Sequence, residues 1–89
     1  MDTADPAFLV AFDRLPHGTF RARFKGQSWV ATRSVFSGGR SEKLVAEALG
    51  GNAYVSMNLY HMASGSRVAP CEMPVARVRA FVLGMVPDG

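Results

Sequence analysis

The chain has 89 residues, 48% of them apolar and 19% charged, with a formal net charge of +3 and one cysteine. That length and composition suit one globular domain with its own core and exclude a disordered chain. Cys71 alone excludes an internal disulfide framework and fits a reducing compartment, and no run approaches the roughly 20 apolar residues that span a bilayer.

The first five residues, Met1 to Asp5, are acidic where a secretory leader is basic, and the apolar run Phe8 to Phe12 is too short for a leader core. The expectation is a cytoplasmic protein with one domain over 1–89, its ends 1–4 and 86–89 flexible. Asp5-Pro6 opens a helix, with a capping side chain followed by a proline at the first helical position. Phe8, Leu9, Phe12 and Leu15 then recur at helical spacing and make one apolar stripe, which Pro16-His17-Gly18 ends.

Thr19 to Lys25 alternates, with Phe20, Ala22 and Phe24 on one side and Arg21, Arg23 and Lys25 on the other. Gly26-Gln27 can supply a type II′ turn, which needs glycine first, and this sets Phe24 opposite Trp29 and Ala22 opposite Ala31. The other face then carries Ser28, Thr32 and Ser34 beside the cations, with Val30 the exception. Arg33 falls on the apolar side, at the rim near Phe20.

Ser37-Gly38-Gly39-Arg40 reads as a turn. Ser41 to Leu49 is ambiguous: Leu44, Val45, Ala48 and Leu49 sit at helical spacing and Gly50 suits a helix cap. The segment nevertheless lies between two glycine turns and lacks a capping box, so it is read as a third strand, with helix as the alternative. Gly50-Gly51-Asn52 leads into Tyr54 to Met62, where Val55, Met57 and Leu59 alternate with Tyr54, Ser56, Asn58 and Tyr60. This is a strand buried on one face. Ala63 to Ser66 is a loop, and no element is assigned between it and Pro70. Pro74 starts a second helix, with Val75, Val78, Phe81, Val82 and Met85 as its apolar side and Gly84 and Pro87 as its end. The resulting fold class is α+β: an antiparallel sheet of three to four strands with an N-terminal and a C-terminal helix packed on one face.

The run Gly38-Gly39-Arg40-Ser41, Lys43-Leu44, Leu49-Gly50-Gly51, Ser56, Asn58, Tyr60 and Pro70-Cys71-Glu72-Met73-Pro74 resembles a group of small, functionally uncharacterised bacterial single-domain proteins. The resemblance covers most of the chain after Pro16 and implies a bacterial source. Some members carry a methionine sulfoxide reductase label, which implies a reactive cysteine in a reductase motif. Nothing around Cys71 looks like one.

Among residues that could carry chemistry, Cys71 lies just ahead of a helix start, where a thiol can be activated, and His61 could approach it. A lone cysteine between prolines is more often a small apolar residue. His61 falls on the apolar side of its strand, as a rim or core histidine with a local partner. His17 sits in a solvated turn. A zinc site from His17, His61 and Cys71 has no short-range ligand pair to anchor it, so neither metal nor cofactor is expected. The glycine pairs lack the lysine and frame of a phosphate loop and read as turns.

The polar sheet face is the candidate binding surface: Arg21, Arg23 and Lys25 to meet phosphates, Tyr54 and Tyr60 to stack bases, and Asn58 between them. The expectation is a small non-enzymatic binding or interaction module with an anionic partner, either single-stranded nucleic acid or an acidic protein, and no membrane. The alternatives are a small thiol enzyme using Cys71 with His61, and a homodimer-forming structural module.

Overall fold

The computed structural model of the protein describes residues 2–88. Helix α1 (Pro6–Asp13) follows a short strand β1 (Asp2–Thr3), and five longer strands come next: β2 (Gly18–Phe24), β3 (Gln27–Phe36), β4 (Ser41–Ala48), β5 (Tyr54–Met62) and β6 (Gly65–Pro70). Helix α2 (Val75–Gly84) and strand β7 (Val86–Pro87) complete the chain. Every pairing is antiparallel, in the order β1-β6-β5-β4-β3-β2-β7.

The sheet therefore has seven strands, not the three or four that the sequence pattern suggests. The added strands are those with no period to detect. β1 and β7 are two residues each, and β6 turns only one buried apolar residue, Val68, to the core. Both short strands lie in stretches expected to be flexible, 1–4 and 86–89; Met1 and Gly89, at their far ends, lie outside the described residues. β1 pairs with β6 and β7 with β2, so each end of the chain covers an otherwise open sheet edge. The ambiguous segment after the Ser37–Gly39 turn is strand β4, held on both sides by β3 and β5.

The first hairpin turns at Lys25-Gly26 rather than Gly26-Gln27. Lys25 and Gly26 have φ of 50° and 75°, the type I′ geometry whose twist matches a strand pair. Phe24 consequently faces Gln27, Ala22 faces Trp29 and Phe20 faces Ala31. The pairing differs by two residues from the expected one, and an even shift leaves every side chain on its expected face. Lys25 is the exception, because it leaves the strand for the turn.

Both helices pack on the face that carries Ala22, Trp29, Ala31, Leu44, Ala46, Val55, Met57, Leu59 and Val68, all buried. From α1, Phe8 and Phe12 enter the core, with ring centroids 6.0 Å apart. From α2, Phe81 packs against Phe24 and Trp29, at 5.1 and 4.7 Å between centroids. A Cβ on Gly84 would lie 2.9 Å from the Phe24 ring, so glycine is what lets the end of α2 settle there. The Trp29 indole N–H is buried with no hydrogen-bond partner among the described residues.

The helices are also tied at the surface. Asp5 caps α1 by accepting from the Phe8 N–H at 2.8 Å, and Arg79 of α2 donates to its other oxygen at 2.8 and 3.0 Å. The Phe8 N–H first, and then Arg79, hold the Asp5 carboxyl below its ordinary value. Among the described residues no helix is long and apolar enough to cross a membrane.

Candidate functional site

The sheet has two faces of opposite chemistry, and the sequence-derived candidates on its strands divide between them. On the helix-free face, cross-strand partners line up in rows. One row runs Arg21, Val30, Glu47, Tyr54 across β2 to β5. A second runs Ser34, Lys43, Asn58, Ala69, and a third runs Phe36, Ser41, Tyr60, Arg67. Arg21 and Tyr54 are three strand spacings apart, roughly 14 Å. They share a surface without touching.

Of the six expected binding residues, Arg21, Arg23, Tyr54, Asn58 and Tyr60 lie on this face. Arg23 folds back over its own hairpin, donating to the Gly26 carbonyl at 3.2 Å and contacting Ser28 Oγ at 3.5 Å. Lys25 does not belong to the face. From the turn its ammonium sits 5.4 Å from the centroid of Phe24, an inward-facing ring. Lys43, Arg67 and the exposed Phe36 join the surface instead. Alternation in Ser41 to Leu49 puts Lys43 on the outer side once that segment is taken as a strand. Arg67 carries no such signal, because β6 shows none.

The outward positions of β2 to β6 thus carry Arg21, Arg23, Lys43 and Arg67 against one carboxylate, Glu47. Their exposed rings are Phe36 and Tyr54, with Tyr60 half-buried.

On the helix-covered face a chain of polar groups runs from Leu15, just past the end of α1, across four strands. Arg33, 5% exposed, donates through Nη1 to the Leu15 carbonyl at 2.7 Å. Its Nε and Nη2 both lie 2.9 Å from Glu42 Oε1, and its guanidinium sits 4.8 Å from the centroid of the Phe12 ring. Glu42 Oε2 is 2.9 Å from His61 Nε2, and His61 Nδ1 is 2.9 Å from Ser66 Oγ. Burial alone would raise the Glu42 carboxyl, but hydrogen bonds from His61 and Arg33 outweigh it and hold the group below its ordinary value. A buried pair is tolerable only with its remaining hydrogen bonds satisfied, which Leu15 and His61 achieve. This explains why an arginine can sit at an inward position.

An open groove of about 350 Å³ lies over this chain, between α1 and the sheet. Its walls are Leu9, Val10, Phe12 and Leu59, with Asp13, Glu42, His61 and Ser66 as polar lining. The Ser66 part of the cluster has no counterpart in the sequence reading. Ser66 and His61 are cross-strand partners on β6 and β5, and β6 is a strand the pattern does not reveal.

The structure does not bring Cys71 and His61 together. The Cys71 N–H bonds to the Ser56 carbonyl, and its sulfur lies 3.8 Å from Asn58 Nδ2 on the helix-free side. His61 faces the helix-covered side, about 10 Å beyond Asn58 along β5. His17 is exposed ahead of β2. Among the described residues no group of three or more His, Cys, Asp or Glu side chains could hold a metal ion.

Comparison with protein-family models, with curated proteins and with solved structures gives no match.

Proposed function

We propose that this protein is a binding module whose helix-free sheet face takes single-stranded nucleic acid. The carrying observation is the charge of that face: four cations to one carboxylate at the outward positions of β2 to β6, on a surface that neither α1 nor α2 covers. A phosphate backbone crossing the strands would meet Arg21, Lys43 and Arg67 in turn, while Phe36, Tyr54 and Tyr60 offer rings for bases. Base–aromatic stacking contributes about 1–3 kcal/mol per base and tolerates any sequence. A second copy of the chain fits the face less well, since a two-fold contact would set these cations against one another.

The test is fluorescence anisotropy of a labelled mixed-sequence single strand, titrated at low and at moderate salt. Binding that weakens as salt rises is the expected result. Arg21→Ala with Lys43→Ala should reduce both the affinity and its salt slope. Absence of binding at low salt overturns this reading and directs attention to acidic proteins, and then to the homodimer, through solution mass.

A further inference from the structure

The groove on the opposite face carries an arrangement that binding does not use. Glu42 is held ionised and is therefore an acceptor only, so the proton between it and His61 belongs to Nε2. In the neutral imidazole this leaves Nδ1 as the bare nitrogen, and the 2.9 Å contact to Ser66 is then donated by the hydroxyl. The three groups form a hydroxyl, a base and an orienting carboxylate, bonded in series and open to solvent at the His61 end, where the side chain is 37% exposed. Arg33 fixes Glu42 from behind through two contacts of 2.9 Å.

From this geometry we infer that Ser66 is an activated nucleophile that accepts apolar acyl groups from esters with a good leaving group. This goes beyond the nucleic-acid reading and does not rest on it. Ser66 Oγ attacks the ester carbonyl carbon while its proton passes to His61 Nδ1. The bond between that carbon and the leaving oxygen breaks, and the departing oxygen takes the proton from Nδ1. Water then gives a proton to Nδ1 as its oxygen bonds the acyl carbon. The bond from that carbon to Ser66 Oγ breaks, Oγ takes the proton back from Nδ1, and the free acid leaves. Glu42 keeps its bond to Nε2–H throughout and acts as a positioning residue. Leu9, Val10, Phe12 and Leu59 offer the acyl chain an apolar wall along the open groove.

The experiment uses the full chain in a Cys71→Ala background, which removes the one thiol. It is incubated with p-nitrophenyl acetate, with p-nitrophenolate release, intact mass and peptide mapping as readouts. The expected result is one acetyl group on the peptide carrying Ser66, absent in Ser66→Ala. Acylation should be about 100-fold or more slower in His61→Gln, the usual contribution of a general base. Nitrogen-15 imidazole spectra should show the His61 proton on Nε2, and Glu42→Gln should disturb that state along with the rate. Acetylation confined to lysines or to His61, equal release from Ser66→Ala, or a His61 proton on Nδ1 would each overturn the inference. Mapping on the unsubstituted serine decides the matter even if Ser66→Ala fails to fold.

Discussion

The two faces of this sheet are built from the same strands and differ in what a charge means on each. Arg33 and Arg21 are both strand arginines, one on β3 and one on β2. Arg33 points inward, where its charge is tolerable because Glu42, the Leu15 carbonyl and the Phe12 ring surround it. Arg21 points outward among Val30 and Glu47, where water already solvates it and no fixed partner is needed. The inner charges therefore bear on stability, and the outer ones on what the protein meets.

The contrast can be broken most forcefully at Glu42. Removing one member of a buried pair leaves the other uncompensated, so Glu42→Ala should lose about 3–5 kcal/mol in urea unfolding. Replacing Arg33 and Glu42 together by leucine should recover much of that loss. If Glu42→Ala proved nearly neutral, the inner chain would be no more than surface decoration.

Acid sharpens the same point. The Glu42 carboxyl is lower in the folded state than its ordinary value of 4.5, so the unfolded chain binds its proton first as pH falls. Its contribution is fully present above about pH 4.5 and is lost as pH falls through the folded value. Glu42→Gln should flatten the dependence of stability on pH in that window, which unfolding curves at several pH values would show.

Smaller effects follow on the inner side. Asp5→Ala removes the α1 cap and the Arg79 contact and should lower the urea midpoint, by less than Glu42→Ala does. Trp29→Phe loses packing area but also removes an indole N–H that has no partner among the described residues, so its net effect should stay below about 1.5 kcal/mol.

On the outer face, Arg21→Ala should change stability by no more than about 0.5 kcal/mol. It should still weaken single-strand binding and lower the salt slope by about one contact's worth.

Much of this division is legible in the chain because a strand's period is two. Placing Val55, Met57 and Leu59 inside puts Tyr54, Asn58 and Tyr60 outside, and the same step puts His61 with the inner set. The hairpin shows how far that reasoning tolerates error. Its turn differs from the expected one, yet Arg21 and Arg23 keep their face because the displacement is even. Lys25 does not, since a residue in a turn obeys no alternation. Arg33 reads as an anomaly until its partner is seen, nine residues on and across a turn. Ser66 and Arg67 stay hidden because β6 has one inward apolar residue, and a strand recruited by its neighbour leaves little trace in its own sequence. The two-residue edges are formed by pairing alone and show nothing locally.

The most direct test of the two-face account is an amide NMR titration with a short mixed-sequence single strand, at low and at moderate salt. The account predicts shifts at Arg21, Arg23, Lys43, Tyr54 to Tyr60 and Arg67 that fade as salt rises, with α1 and α2 unmoved. Shifts concentrated on the helices and the groove at His61, or none at either salt, would contradict it.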